Sequence, residues 1–232
     1  MTSYIYKIHH VPASDENLLP FLAGKFASLR LSALTVSAPA FSSTFEIESA
    51  FTASQWIERL KRPLVCTFVA VAYGAATPPE KQTIDAGDWI GSATLLGPFT
   101  KEMYEIPESG GPSIGSDEVE SRWQMTAVFN SPDHRGKGIA KMLIQGALDF
   151  AAEQTGKGRS TRMRIMIHPR NVVVKKLYVG LGFVDAGNTT LAEAYLANGD
   201  AEMLPPDGGK SDPEKYHNRL GLIMERVSLP IS

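Results

Sequence analysis

Two stretches of this chain hold residues whose types and spacing can do chemistry. The first is Gln124 to Gly146, QMTAVFNSPDHRGKGIAKMLIQG. Met125 to Phe129 is an apolar run that reads as a strand, and Ser131-Pro132-Asp133 breaks it. After Arg135-Gly136-Lys137-Gly138, apolar residues recur at Ile139, Met142, Leu143, Ala147, Phe150 and Ala151, one face of a helix. A helix N-terminus leaves backbone N–H groups unpaired and carries partial positive charge. Glycines let such a backbone approach an anion, and Arg135, Lys137 and Lys141 add charge nearby. The pattern predicts a phosphate or pyrophosphate cradle; from these residues alone, a basic strand-to-helix turn without a ligand is the alternative. A Walker-type phosphate loop is excluded because Gly138, not Ser or Thr, follows Lys137. A three-glycine dinucleotide turn is excluded because Lys141 stands where the third glycine belongs.

The second stretch is His168-Pro169-Arg170-Asn171, followed by Lys176-Leu177-Tyr178-Val179-Gly180-Leu181-Gly182-Phe183. Pro169 ends a strand, Asn171 is a natural helix N-cap and Gly182 a natural stop. Asn171 and Tyr178 are seven residues apart, nearly two turns, so both project from one face about 10 Å apart along the axis. The bland readings are a cap for Asn171 and a core ring for Tyr178.

Together the two stretches resemble the GCN5-related N-acetyltransferases (GNAT family). That family's acetyl-CoA loop, Arg/Gln-x-x-Gly-x-Gly/Ala, is filled by Arg135, Gly138 and Ala140. Its second cofactor motif is filled by Asn171, Tyr178, Gly182 and Phe183, with one departure at Val174, where a small residue is common. Phe41-Ser42-Ser43-Thr44 followed by Glu46 and Glu48 also looks like the helix 1–2 loop of many small-molecule members. The motifs cover 125–186, and the element order extends the likeness to the whole chain.

The resemblance implies an α/β fold: a GNAT-like mixed central sheet of about seven strands flanked by about four helices, with splayed middle strands. It implies an N-acetyltransferase that moves an acetyl group from acetyl-CoA to a primary amine by direct attack in a ternary complex. The backbone of Arg135, Gly136, Lys137, Gly138, Ile139 and Ala140 would hold the pyrophosphate. Backbone groups of Phe129 and Asn130 would pair with the pantetheine and polarise the thioester, and Asn171 and Tyr178 would complete the cofactor site. Tyr178 is then the candidate general acid for the departing thiolate. Glu46, Glu48 and Glu120 are candidates for the base, with a water chain as the alternative. His134 is read as a surface residue and His168 as structural. The competing reading is a non-catalytic acyl-CoA-binding or regulatory module on the same fold.

Positioning these groups requires an ordered scaffold. Tyr4 to Val11 reads as a strand; a helix capped at Ser14 or Asp15 runs to about Ser32; a loop spans 38–43; and a helix starts near Thr52 to Ser54. Leu64 to Tyr73 and Asp88 to Phe99 read as antiparallel strands joined by an exposed loop. Strands at 122–130 and 162–168, helices at about 139–155 and 171–181, and strands at 183–186 and 220–229 complete the order. The chain reads as a single domain, 1–232, with its cofactor core at about 122–186. Two insertions, 100–121 and 188–219, read as excursions bordering the acceptor, the first as a mobile, acidic loop.

Composition is that of an ordinary soluble globular protein. Of 232 residues 43% are hydrophobic and 21% charged, and the net charge is −2. That balance argues against nucleic acid as the partner. The single cysteine, Cys66, allows no internal disulfide and reads as a core residue. No secretory signal and no membrane-length apolar run is present, so a cytoplasmic location is expected. No metal is expected. The acceptor reads only as an amine on a small molecule or peptide, and neither monomer nor homodimer is favoured.

Overall fold

The structure is a computed structural model describing residues 3–41 and 43–230. Ser42, within the loop expected between the first helices, lies outside the described residues, as do Met1 and Thr2 of the expected N-terminus. Seven strands form: β1 Tyr4–His10, β2 Val65–Gly74, β3 Asp88–Phe99, β4 Glu120–Asn130, β5 Ser160–Ile167, β6 Val184–Thr189 and β7 Gly221–Ser228. They make one sheet in the order β1-β2-β3-β4-β5-β7-β6. β1 runs antiparallel to β2 from Tyr4 opposite Gly74 to His10 opposite Phe68. β4 and β5 are parallel, from Glu120 opposite Ser160 to Met125 opposite Ile165, as a helical crossover between them demands. β7 is antiparallel to both β5 and β6. The sheet is therefore mixed.

The helices are α1 Leu19–Val36, α2 Phe45–Ser49, α3 Ala53–Lys61, α4 Lys101–Tyr104, α5 Ile139–Thr155, α6 Val172–Val179, α7 Leu191–Ala197 and α8 Pro213–Tyr216. Four of these, α1, α3, α5 and α6, have eight residues or more and answer to the four expected; the rest are short. α1 starts later than expected. Asp15 Oδ1 accepts the N–H groups of Asn17 and Leu18 at 3.1 Å in a turn of its own, and Pro20, tolerated only in a first turn, fixes where the helix begins. α3 is opened by a reciprocal capping box between Thr52 and Gln55, where the helix was expected to start. The 100–121 segment is not a bare loop: Thr100 caps α4, and Tyr104 is buried.

Two compact units divide the chain. One comprises Met1–Leu95 with Ala127–Ala147, the other Leu96–Thr126 with Leu148–Ser232. In the first, Leu19, Leu22 and Phe26 of α1 pack with Trp56 and Leu60 of α3 against Val69, Val71 and Tyr73 of β2. In the second, Trp123 meets Phe150 edge to face at 6.3 Å, and alternate residues Met163 and Ile165 of β5 are buried.

The end of α6 follows the physics of its sequence. Phe183 N–H donates to Tyr178 O and Gly182 N–H to Val179 O, both at 3.0 Å, with Gly182 at φ +86°. This is a Schellman-type stop, which needs a left-handed residue. A Cβ at Gly182 would meet only Arg226, at 3.8 Å, so sterics with neighbours are not the obstacle. Gly182→Ala is expected to lower stability by about 1–2 kcal/mol through backbone strain alone. Urea unfolding should show this as a lower midpoint at unchanged slope; an unshifted midpoint would refute it.

Candidate functional site

The cradle lies in the first unit. β4 ends at Asn130, and Ser131 N–H donates to Ile90 O at 2.7 Å, pinning the turn to β3. Pro132–His134 makes a single tight helical turn, closed by Arg135 N–H to Pro132 O at 3.1 Å. Gly136 and Gly138 then take φ +74° and +79°, and nothing lies within 4 Å of where a Cβ would stand at either. These glycines thus serve a left-handed backbone facing open space. α5 begins at Ile139, whose side chain is buried, so Ile139 can offer a ligand only its backbone. The N–H groups of that first turn have no intrahelical partner.

The flanking side chains differ from a simple basic rim. Arg135 donates from Nη2 to Ser37 Oγ at 3.1 Å and from Nε to Asn130 O at 3.4 Å. The Lys137 ammonium sits 5.7 Å and 5.8 Å from the ring centres of Tyr4 and Tyr6. His134 was expected at the surface. It is instead half-buried, edge-on to Tyr4 and Tyr6 and hydrogen-bonded through Nδ1 to Tyr6 Oη at 3.1 Å. The sequence separation of 128 residues between Tyr6 and His134 hid that contact. Burial, then the charge of Lys137, lowers its pKa, keeping it neutral at pH 7. Phe129 is buried against Phe41, with ring centres 6.4 Å apart, in a cluster with Leu29 and Ala33. Asn130 Nδ2 donates to His134 O at 3.2 Å, while its Oδ1 is buried without a hydrogen-bond partner.

Glu46 and Glu48 sit on the short α2. Glu46 is exposed. Glu48 is wholly buried: its oxygens accept from Arg30 Nε at 2.9 Å and 3.1 Å and from Nη2 at 2.6 Å, with Arg59 at 3.7 Å. The Arg30 guanidinium also stacks 4.6 Å from the Phe41 ring centre. Burial acts to raise the Glu48 pKa, but the hydrogen bonds and charge of Arg30, with the charge of Arg59, outweigh it and hold the carboxyl low.

Asn171 and Tyr178 lie in the second unit. Asn171 Oδ1 accepts Val174 N–H at 3.3 Å, so its side chain caps α6. Tyr178 is buried, edge-on to Phe183 at 5.2 Å, and burial raises its phenol pKa well above the ordinary 10. His168 Nδ1 accepts Arg170 N–H at 3.2 Å, a local turn contact.

Glu120 belongs to a buried polar layer that the strand pattern alone left unread. Its Oε1 lies 3.0 Å from Arg162 Nη2, and its Oε2 lies 3.4 Å from Arg122 Nε and accepts Gly115 N–H at 3.1 Å. Arg122 also reaches Asp117 at 2.6 Å, and Arg162 reaches Glu225 at 2.6 Å. Tyr104 donates to Glu225 Oε1 at 2.8 Å. The readable signal was the alternation Arg122-x-Gln124 and Arg162-x-Arg164, opposite the apolar face of Trp123, Met163 and Ile165. Such a face would ordinarily be solvated; here the 101–119 segment covers it. Among the described residues, no group of three or more His, Cys, Asp or Glu side chains could hold a metal ion, and no helix is long and apolar enough to cross a membrane.

The Arg30–Glu48 pair makes a stability prediction. The folded pKa of Glu48 lies below its ordinary 4.5, so its contribution is complete above that value and is lost as pH falls through the lowered folded pKa. Glu48→Gln strands Arg30 and is expected to cost about 3–5 kcal/mol. Denaturation curves at neutral pH should show that loss. Between pH 5 and 3 the variant should lose less stability than the wild type; parallel acid profiles would count against the pair.

Residues 84–183 match the sequence model described as the acetyltransferase (GNAT) family. No curated protein sequence matches the chain. Among solved structures, an Acinetobacter baylyi ADP1 protein proposed to be an acetyltransferase is 14% identical, with TM-score 0.56 over 98% of this chain and 95% of its own. A ribosomal-protein-alanine N-acetyltransferase from Brucella melitensis is 18% identical, with TM-score 0.51 over 96% and 99%. A Salmonella typhimurium protein, likewise proposed to be an acetyltransferase and solved with its cofactor acetyl-CoA, is 15% identical, with TM-score 0.51 over 96% and 93%. At these identities the likeness is one of fold: a seven-stranded mixed sheet with flanking helices. On that sheet, with the glycine cradle and α6 both inside the matched segment, residues 84–183 belong to the acetyltransferase (GNAT) family.

Proposed function

We propose that this protein is an acetyl-CoA-dependent N-acetyltransferase that transfers the acetyl group to a primary amine. The observation that carries the reading is the cradle: two left-handed glycines with open space beside them, ahead of a 17-residue helix, inside the family match. Its donors suit a pyrophosphate. When bound, the cofactor supplies an activated acetyl thioester. The backbone of Arg135 to Ala140 holds the diphosphate, and Lys137, held over its tyrosines, adds charge beside it. Phe129 and Asn130 offer backbone groups to the pantetheine and the thioester carbonyl, where donors aimed at a developing oxyanion contribute most. Asn171 shapes the start of α6, and Tyr178 is the proton donor to the leaving thiolate. Burial keeps that phenol protonated through neutral pH. The same desolvation raises the basicity of a thiolate placed against it, which favours transfer. We assign the base role to neither Glu48 nor Glu120, because arginines already occupy both carboxylates. Water carries the proton from the amine. The single cysteine, Cys66, suits a reducing compartment such as the cytoplasm, and the acceptor is a small molecule or peptide.

Gly138→Asp should fold, since its Cβ meets nothing and Asp tolerates the left-handed region. A carboxylate set against the diphosphate should weaken acetyl-CoA binding on the order of 100-fold. Calorimetric titration tests this; unchanged affinity in the folded variant would place the cofactor elsewhere.

Tyr178→Phe removes one hydroxyl and keeps the ring's packing on Phe183. The expected result is a kcat lower by about 10²-fold with acetyl-CoA affinity unchanged. The loss should shrink for a thioester whose leaving thiol is more acidic. Free-thiol release over an amine panel provides the readout: equal losses for good and poor leaving groups would make Tyr178 a positioning residue. No turnover by the wild type on any amine would favour the non-catalytic module.

A further inference from the structure

Beneath the 101–119 segment of the second unit lies a cavity of about 210 Å³, but the buried charges around it are matched: Arg122, Arg162 and Arg164 stand against Asp117, Glu120 and Glu225. The cradle of the first unit is built differently. Gly136 and Gly138 carry no side chain, so Lys137 is the side chain through which the middle of the cradle can grip its surroundings. No carboxylate lies within ion-pair distance of its ammonium among the described residues, and it rests instead 5.7 Å and 5.8 Å from the ring centres of Tyr4 and Tyr6. A cation held on aromatic faces keeps its charge for an incoming anion, because no acid neutralises it.

The same two tyrosines hold the residue three positions earlier. His134 stands edge-on to both, with ring centres 5.2 Å and 5.7 Å away, and its Nδ1 shares a hydrogen bond with Tyr6 Oη at 3.1 Å. Tyr4, Tyr6 and Ile8 alternate along β1 and so share one face. Further along that face Ile8 meets α5: a Cβ on Gly146 would lie 3.3 Å from Ile8 Cγ2. One face of β1 thus sets both the cradle and the helix behind it. Other anchors fasten the start of the cradle, Ser131 N–H to Ile90 O and Arg135 Nη2 to Ser37 Oγ. Neither reaches past Arg135 to the two glycines, whose left-handed backbone loses the most freedom on being fixed.

We propose that β1 is the positioning element of the cradle: Tyr6, through His134, and the Tyr4–Tyr6 pair, through Lys137, keep residues 134–138 in the form that receives a diphosphate. Preorganisation of this kind cuts the ordering cost of binding, and affinity falls with the fraction of molecules whose cradle holds the competent form. Tyr4, Tyr6 and His134 are positioning residues, acting through the cradle. That the anion is the diphosphate of acetyl-CoA rests on the acetyltransferase reading; the hold of β1 on the cradle does not.

The test is calorimetric titration of the full chain with CoA, beside amide order parameters of Gly136, Lys137 and Gly138 from nitrogen relaxation of the free protein. Tyr6→Phe removes the hydroxyl and keeps the ring. It should weaken CoA about fivefold, the worth of one ordinary hydrogen bond. In a His134→Ala background the same change should cost almost nothing, because the hydroxyl acts through His134. Tyr4→Leu with Tyr6→Leu takes away both rings and should lower the three order parameters from about 0.85, typical of rigid backbone, to below about 0.6. Should that variant not fold, Lys137→Ala, at an exposed position, should lower them as well. A role in packing alone would lower the unfolding midpoint and leave both readouts of the folded protein unmoved. Equal CoA affinity in Tyr6→Phe, additive losses in the pair with His134→Ala, or unchanged order parameters would each overturn the proposal. If CoA binds and Tyr6→Phe does not weaken it, the acetyl-CoA reading stands and this one falls. If the wild type takes up no CoA, that reading falls and the order parameters decide this one: a fall upholds β1 as the positioning element, and no change refutes it.

Discussion

The second unit depends on one shared carboxylate. Glu225, 6% exposed at the middle of β7, accepts from Arg162 on β5 and from Tyr104 on α4. A buried ion pair contributes little net stability unless its remaining lone pairs and protons are also met. Here most are. Arg162 turns its other arm to Glu120 and to Ser113 O, and Arg122 takes Asp117 and Gly115 O. Those bonds end on the 101–119 segment, so charged strand residues hold down a stretch with few apolar side chains of its own. An apolar layer would hold it by area alone and leave its position loose. Directional bonds specify where each carbonyl sits, which is what a roof over a shaped cavity requires.

The same logic appears in the first unit on a smaller scale. α2 is only five residues long, too short to be stable by itself. It is anchored by Glu48, whose carboxylate is gripped by Arg30 from α1. Arg30 in turn lies over Phe41, and Phe41 packs on Phe129 at the end of β4. A chain of contacts thus runs from a helix pair to the strand end that precedes the cradle. The glutamate that resembled a catalytic residue by position is instead committed to this scaffold.

What was legible in the sequence was local. The cradle, the Asn171 cap and the Gly182 stop are each written within a few residues, where turn chemistry and capping act, and the structure forms each turn and cap there. The strands followed from apolar runs, and their ends were right to within a few residues except where a proline or a cap shifted a helix. What was not legible was long-range. Tyr104 gave no sign that it would meet Glu225, and nothing near the alternating arginines of β4 and β5 announced the segment that covers them. His134 looked exposed because the tyrosines that enclose it come from the first strand. Charged side chains carry no periodic signal of their partners, so buried polar layers are the feature that pattern reading most readily misses.

The insertion of β7 between β5 and β6 also sets an order of events for folding. The Tyr104–Glu225 bond closes a separation of 121 residues and the Arg162–Glu225 bond one of 63. Contacts so distant in sequence form late, after the loop entropy between them has been overcome. Until β7 docks, the roof has only its bonds from Arg122, Arg162 and Arg164 and lacks the Glu225 carboxylate that ties Tyr104 and Arg162 together, and the β5 and β6 edges that β7 fills remain unpaired. The layer that defines the cavity therefore acts as the closing step of the second unit. Its assembly and the creation of the cavity are one event, and a chain that has not completed its sheet has no cavity to offer.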